Sequence, residues 1–411
     1  MKILVLNESN SFGGAAKAAK RIYSALKMFE PSSLYAVQRD VLSETAVLSP
    51  RQFFPGQNLW KLRITGALRR LFLKNPNVAF SFNIGFSSFF KGIVKKCKPE
   101  ILQLNWLNNS CISLNQLEKL NIPIVWTLHD SWAFTGGCHV FQDCLKFQHQ
   151  CGYCPLLQSN KYPDLSSILQ NQKERSYSRI KNLHFVTPSK WLKEKATSSR
   201  LLRSFPIYHI PNPIDQKIFY PLDSRNSRQV FNLPIDKKLV LLNTFSIKYD
   251  LNKGTLFLAK ALQEINDPRI EVMIIGCDSD PDNIFNQTRV HFFGKICEEK
   301  VMNQLYAAAD VVALPSKQEN FSNTLLESSA CGRPSVCFDI GGNSEVISHL
   351  QNGYIAKPFI IEDLANGIKW SLGTDKSVLK KYCSKKISEN YSYQVIGEKY
   401  QQLCSSILKR G

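Results

Sequence analysis

Pro315-Ser316-Lys317-Gln318-Glu319-Asn320-Phe321-Ser322-Asn323-Thr324-Leu325-Leu326-Glu327 is the stretch on which the reading of this chain turns. The apolar run Val311 to Leu314 before it has the length and composition of a buried parallel strand, and a polar turn follows. Ser322 or Asn323 can accept a hydrogen bond from the open N–H groups of a helix start. Thr324 to Cys331 then carry apolar residues at helical spacing until Gly332 and Pro334 stop them. The pattern predicts strand, loop and helix. A loop at the carboxyl end of such a strand meets the positive end of a helix dipole, where a phosphate is well held, so Asn320, Phe321, Ser322, Asn323 and Thr324 are candidate ligand contacts. Glu319 lies in the loop and Glu327 more than a turn inside the helix, so each could grip hydroxyls on one side of a bound phosphate. Two surface glutamates on an ordinary βα unit satisfy the same spacing.

The neighbouring residues add a resemblance. Glu319, seven intervening residues and Glu327, followed by Ser329-Ala330-Cys331-Gly332-Arg333-Pro334 and Phe338-Asp339-Ile340-Gly341-Gly342-Asn343-Ser344-Glu345, resemble the donor-site signature of family 4 glycosyltransferases. With the segments described below, the likeness covers most of the chain. It implies an α/β, GT-B architecture: two doubly wound parallel-sheet (Rossmann-like) domains facing a cleft, with a C-terminal helix packing back on the first. It implies a retaining hexosyl transfer from a UDP- or GDP-sugar to a glycan, with Glu319 orienting the sugar and Glu327 holding the ribose. In such a reaction positive charge develops on the sugar ring as diphosphate departs, so the protein must stabilise the departing oxygens and align the acceptor hydroxyl. The leaving phosphate is expected to take the acceptor's proton, and no general base and no catalytic cofactor is required.

A chain of 411 residues with an apolar fraction of 44% has room for two domains with separate cores. Met1-Lys2 leads straight into Ile3-Leu4-Val5-Leu6, too short for a secretory apolar region and better suited to a first buried strand. The longest apolar candidate, Val78 to Val94, is broken by Ser81, Asn83, Gly85 and Lys91, among others, which argues against a membrane span. A cytoplasmic location with reduced cysteines is expected. The formal charge of +19 is concentrated. Arg51, Lys61, Arg63, Arg69, Arg70, Lys74, Lys91, Lys95, Lys96 and Lys98 fall in a stretch without Asp or Glu, interleaved with Trp60 and phenylalanines. Such a surface suits an anionic membrane leaflet or nucleic acid, or is a solvated face. Leu62, Leu68, Leu71 and Phe72 among the cations of Leu59 to Lys74 favour an interfacial helix on the inner face of the plasma membrane, and no nucleic-acid-binding signature is present. Taken with that location, the family resemblance implies a lipid-linked glycan for a cell-surface polysaccharide (exopolysaccharide, capsule or O-antigen) as the acceptor.

The first βα unit ends in Asn7-Glu8-Ser9-Asn10-Ser11-Phe12-Gly13-Gly14, where Gly13 and Gly14 would let backbone approach a ligand, or simply make a tight turn. In proteins of the resembling family the corresponding loop lines the acceptor side. Apolar runs at Ile101 to Leu104, Ile122 to Leu128 and His184 to Val186 alternate with helical stretches such as Ser113 to Leu120. Prolines around Ile210-Pro211-Asn212-Pro213 stiffen a connector, and a second alternating series runs from Leu239 to Phe338. The expected division is residues 1–205 for the acceptor-side domain, 206–385 for the donor domain, and 386–411 for a helix crossing back, the tail Val378 to Lys409 reading as helical.

Lys253-Gly254 follows the strand Leu239 to Asn243 and opens a helix; a lysine there can neutralise a diphosphate and glycine permits close approach, though an exposed lysine reads the same way. The resemblance makes Lys253-Gly254 the diphosphate contact. The arginine that accompanies it in the family is missing, and Lys248 is the nearest cation. His129-Asp130 ends the strand Ile122 to Leu128. The run Trp126 to His139 is similar to that of a polysaccharide-making subgroup in which this histidine lies beside the transferred sugar, while Asn105-Trp106 stands where His-Trp is usual. In the loop 136–156, Cys138, Cys144, Cys151 and Cys154 are spaced C-x5-C-x6-C-x2-C, which matches a closed structural zinc site or reduced thiols. Asp278-Ser279-Asp280 fits the D-x-D of metal-dependent GT-A transferases, or an acidic turn after Gly276. A non-enzymatic basic zinc-loop protein that binds nucleic acid is the remaining alternative.

Overall fold

The computed structural model describes residues 1–10, 13–39, 47–49, 59–82, 88–108, 111–159, 161–247, 250 and 252–410. The chain forms two compact units, Met1–Pro211 with Ile396–Gly411, and Asn212–Val395. The first contains strands β1 (Ile3–Ser9), β2 (Leu34–Arg39), β3 (Val47–Leu48), β4 (Ile101–Leu104), β5 (Ile124–Thr127), β6 (Leu183–Thr187) and β7 (Ile207–His209). Its helices are α1 (Gly13–Phe29), α2 (Leu59–Phe72), α3 (Ser88–Cys97), α4 (Leu114–Leu117), α5 (Leu165–Tyr177) and α6 (Lys190–Thr197). The second unit contains β8 (Lys238–Asn243), β9 (Ile270–Ile275), β10 (Val290–Phe292), β11 (Val311–Leu314), β12 (Ser335–Phe338) and β13 (Gly353–Ala356). Helices α7 (Ser224–Val230), α8 (Thr255–Ile265), α9 (Glu299–Ala308), α10 (Asn323–Ala330), α11 (Asn343–Val346), α12 (Ile361–Gly373) and α13 (Lys376–Asn390) surround it, and α14 (Tyr393–Arg410) runs from there into the first unit.

Each sheet is parallel throughout. The orders are β3-β2-β1-β4-β5-β6-β7 and β10-β9-β8-β11-β12-β13. In both, the winding direction reverses once, between β1 and β4 in the first and between β8 and β11 in the second. The loops that leave such a pair diverge to opposite faces and open a crevice at the carboxyl edge, where ligands of open α/β sheets bind. The strands are nearly continuous apolar runs because helices cover both faces: Leu239, Leu241 and Leu314 belong to one core cluster of the second sheet, Val240, Leu242 and Ala313 to the other.

The domain boundaries differ from the expected ones. The junction falls at Pro211/Asn212 rather than at residues 205/206, because Ile207 to His209 add a seventh strand in register with Phe185 to Thr187. The return falls at Val395/Ile396 rather than at 385/386, because α13 stays with the second unit, where Leu379, Cys383 and Ile387 are buried. From Ile396 onward α14 belongs to the first unit. Gly397 lies so close to α1 that a Cβ would stand 2.4 Å from Ala25 O. The helix expected over Ser113 to Leu120 is a single turn, Leu114–Leu117, cut short before Ile122-Pro123, where a residue preceding proline avoids helical angles.

Candidate active site

The loops after β8 and β11 are neighbours at the switch point of the second sheet, and Asn252 clamps them together. Its Nδ2 donates to Gln318 O at 2.9 Å, its Oδ1 accepts from Gln318 N–H at 3.1 Å, and its carbonyl accepts from Lys317 N–H at 2.7 Å. Gly254 then passes the other loop at a distance only glycine allows: it has φ +69°, and a Cβ would lie 1.8 Å from Pro315 O. This brings Lys253 Nζ to Glu319 Oε1 at 2.6 Å, and Ser316 Oγ donates to the same oxygen at 2.9 Å. Burial works against the Lys253 ammonium, but Glu319 and Asp250 outweigh it and raise its pKa. Behind Glu319 the backbone is again tight, since a Cβ on Gly341 would meet Glu319 O at 1.6 Å.

The next residues begin α10. Ser322 Oγ accepts from Leu325 N–H at 3.4 Å and caps the helix, whose first turn, at Asn323 and Thr324, directs N–H groups out of its N-terminus. Asn320 accepts from Gly342 N–H at 3.1 Å, while Phe321 turns into the core against Tyr391 rather than toward a ligand. Glu327 is 2% exposed, and Tyr306 OH of α9 donates to its Oε2 at 2.8 Å. Lys248 lies outside the described residues. Asn252, Ser316 and Tyr306 were not anticipated from the sequence. The amide next to Lys253-Gly254 was the available signal for the first, but its partners are 66 positions away.

At the carboxyl edge of the first sheet, the loops after β1, β4 and β5 hold a second polar group. Trp106 N–H donates to Asn7 Oδ1 at 3.0 Å, and His129 Nε2 meets Asn105 Oδ1 at 2.9 Å. Asp130 accepts from Trp106 Nε1 at 2.7 Å, His139 Nδ1 at 2.6 Å and Trp132 N–H at 2.9 Å; His139 Nε2 in turn meets Ser81 Oγ at 2.9 Å. Burial works against the Asp130 carboxylate, yet His139 and the two tryptophan N–H donors hold its pKa below the usual range. Burial lowers the His129 pKa to about 4 against the pull of Asp130, so its imidazole is neutral at physiological pH. Asn105, Trp106, His129, Asp130 and Trp132 line one pocket. Gly13, at φ +79°, opens α1; a Cβ there would meet nothing within 4 Å, so its glycine serves backbone angle rather than close packing. Gly13 and Gly14 are both exposed.

The cysteine loop lies beside a buried lysine. Lys173 is fully buried there: its Nζ donates to Trp132 O and, at 3.0 Å, to Thr135 O, and stands 3.8 Å over the Trp132 ring. Its charge acts on both Cys138 and Cys151, whose thiols burial pushes up to about 11 and about 12. Burial in turn lowers the Lys173 pKa to about 7, against the pull of Cys138, Cys151 and Asp130. Among the described residues no group of three or more His, Cys, Asp or Glu is placed to hold a metal ion. The Asp278-Ser279-Asp280 segment is a turn, with Asp280 Oδ2 accepting from Phe285 N–H at 2.9 Å, and the two parallel sheets are not the GT-A fold that a D-x-D site would need.

Residues 238–373, from β8 through α12, match the family glycosyl transferases group 1. The whole chain is similar in fold to sucrose-phosphate synthase (tll1590) from Thermosynechococcus elongatus, with a TM-score of 0.68, 18% identity and full coverage of both chains. It is likewise similar to Anabaena Alr3699/HepE in complex with UDP and glucose, with a TM-score of 0.66, 18% identity, and coverage of 99% of this chain and 100% of that one. The fold is therefore GT-B, two Rossmann-like parallel-sheet units, and the second unit carries a group 1 glycosyltransferase domain. Among curated relatives, the N,N'-diacetylbacillosaminyl-diphospho-undecaprenol alpha-1,3-N-acetylgalactosaminyltransferase of Campylobacter jejuni is 27% identical over 206 residues, 48% of this chain and 53% of that protein. The chain spans about half the length of the curated relatives it matches.

Proposed function

We propose that this chain is a retaining, family 4-like glycosyltransferase that moves a hexose from a UDP- or GDP-sugar to a glycan acceptor. The observation that carries this reading is the Lys253, Glu319 and Ser316 cluster, held at the switch point of a sheet within the group 1 domain. Lys253 and the start of α10 receive the diphosphate and stabilise it as it leaves. Glu319 orients the sugar through its hydroxyls, and Glu327, set by Tyr306, accepts from the ribose. No proton acceptor other than the leaving phosphate is needed on this route, and no step uses a metal.

A lipid-linked acceptor at the inner membrane face is part of the proposal. Ile64, Leu71 and Phe72 of α2 are exposed beside Arg70 and Lys74, a composition suited to an anionic leaflet. No described helix is long and apolar enough to cross a membrane. The relative from Campylobacter is named for an undecaprenol-linked acceptor, which supports a similar chemistry here.

The test is nucleotide release from a panel of UDP- and GDP-sugars in the presence of EDTA, with Glu319→Gln as control. Release from one donor in EDTA, falling about 100-fold or more in the variant, is expected. Release that stops in EDTA, or an unchanged Glu319→Gln, would overturn the reading. Polyanion binding without any turnover would point instead to the nucleic-acid alternative.

A further inference from the structure

The pocket at the carboxyl edge of the first sheet is walled by Leu107, Leu128, Ala133 and the indole rings of Trp106, Trp126 and Trp132. Polar groups set among these walls are engaged within the protein. Trp106 Nε1 donates to Asp130 Oδ2 at 2.7 Å, Trp126 Nε1 to Asn105 O at 2.9 Å and Trp132 Nε1 to Ser81 O at 3.1 Å. Asp130 also holds His139 Nδ1 and Trp132 N–H. Asn105 gives its Nδ2 to Leu6 O at 3.3 Å and Gln103 Oε1 at 2.7 Å, and turns Oδ1 to His129. Thr127 Oγ1 lies between Gln103 Nε2 and Tyr400 OH, each at 2.9 Å. Asn108 differs from these. It lines the same pocket and is only 5% exposed, yet its Oδ1 is enclosed with no partner among the described residues.

An amide oxygen shut away from water without a donor is costly, and the fold gains nothing from it. On the wall of a concave site, such a group marks where a donor from a ligand belongs. The ligand must bring a hydrogen to Asn108 and otherwise present apolar surface, because the surrounding walls are aliphatic and indole. A carboxamide is met at both ends by a second amide, which carries N–H and C=O side by side. The methyl of an acetamido group suits the remaining walls, whereas a bare hydroxyl would leave them facing water. We propose that this pocket is a subsite for the acetamido group of a 2-acetamido sugar in the glycan acceptor, with Asn108 as the residue that selects it. The inference rests on the glycosyltransferase reading given above and names a class of acceptor for it.

Titration of the full-length chain with methyl 2-acetamido-2-deoxyglucoside and with methyl glucoside, followed by saturation-transfer difference NMR, tests it. The acetamido glycoside should bind about tenfold or more tightly, with the strongest saturation on its acetyl methyl protons, and Asn108→Leu should abolish that difference. Because Asn108 Oδ1 has no partner to lose, the same variant should keep the urea midpoint of the parent chain. Equal binding of the two glycosides, no binding of either, or a preference that survives Asn108→Leu would overturn the subsite. Should the variant not fold, the two glycosides on the parent chain decide alone. None of these readouts uses nucleotide release. A chain that prefers the acetamido glycoside but turns over no nucleotide sugar therefore strikes the glycosyltransferase reading and leaves the subsite standing, whereas turnover without the preference strikes the subsite alone.

Discussion

Lys253 and Glu319 satisfy each other at 2.6 Å. On the proposed reading, a diphosphate at the start of α8 would compete with Glu319 for the same ammonium, because both offer charge-assisted hydrogen bonds. Glu319→Gln should therefore leave the affinity for the accepted nucleoside diphosphate unchanged or raise it severalfold, while kcat falls about 100-fold. Calorimetric binding beside nucleotide release separates the two effects. Lys253→Ala should weaken both. His129 makes a prediction about pH. Its pKa is lowered from 6.5 to about 4 in the folded chain, so between those values the unfolded chain binds a proton that the native chain refuses. Stability gained from this site is complete above 6.5 and is lost as pH falls toward 4. The loss is on the order of 1–3 kcal/mol. Urea midpoints at about pH 7 and about pH 5 should differ less in His129→Asn than in the parent chain. For the same reason, kcat/KM should show no His129 limb near neutrality. The candidate residues Glu319, Lys253 and His129 were singled out in the sequence by the family resemblance; local pattern showed only that each lies in a loop following a strand. Asn252 and Asn105 were not, because their roles depend on which strands lie side by side.

Among the elements, the start of α8 is the most constrained. Gly254 combines a positive φ with backbone contact, so Gly254→Ala meets both torsional strain and a collision with Pro315 O. It should cost more than about 2 kcal/mol, and it should displace the loop that carries Glu319, lowering kcat beyond what lost stability explains. Chemical denaturation together with turnover at saturating donor checks this. Helix α2 shows how a charge pattern misleads when taken residue by residue. Arg69, one of the cations expected on a membrane surface, donates instead to Pro76 O at 2.9 Å, Val78 O at 2.5 Å and Phe80 O at 2.9 Å. Arg69→Ala should destabilise the first unit, whereas Arg70→Glu with Lys74→Glu should spare the fold and weaken sedimentation with phosphatidylglycerol vesicles. The expected helix at Ser113 to Leu120 shows the opposite limit of sequence reading, where a short periodic run forms only the single turn Leu114–Leu117 ahead of Pro123.

For the molecule as a whole, the last stretch of chain completes the first unit. Ile396, Tyr400, Cys404 and Ile407 are buried there, and Gly397 admits α1 to backbone contact. Truncation after Val395 should expose that core and unfold the first unit, while residues 212–395 keep their helicity and nucleotide affinity, as circular dichroism and calorimetry would report. The sequence by itself determined the alternation of buried strands and capped helices, the parallel sense of both sheets and the strand-loop-helix that carries Glu319. These depend on hydrophobic periodicity, caps and glycines, all of which act within a few residues. Only the tertiary structure decided where one unit ends, that Lys173 is buried beside Cys138 and Cys151, and that Asn252 and Asn105 orient the groups beside them. Those outcomes depend on pairing between residues far apart in the chain, and local pattern carries no record of which distant carbonyl or carboxylate a buried side chain will meet.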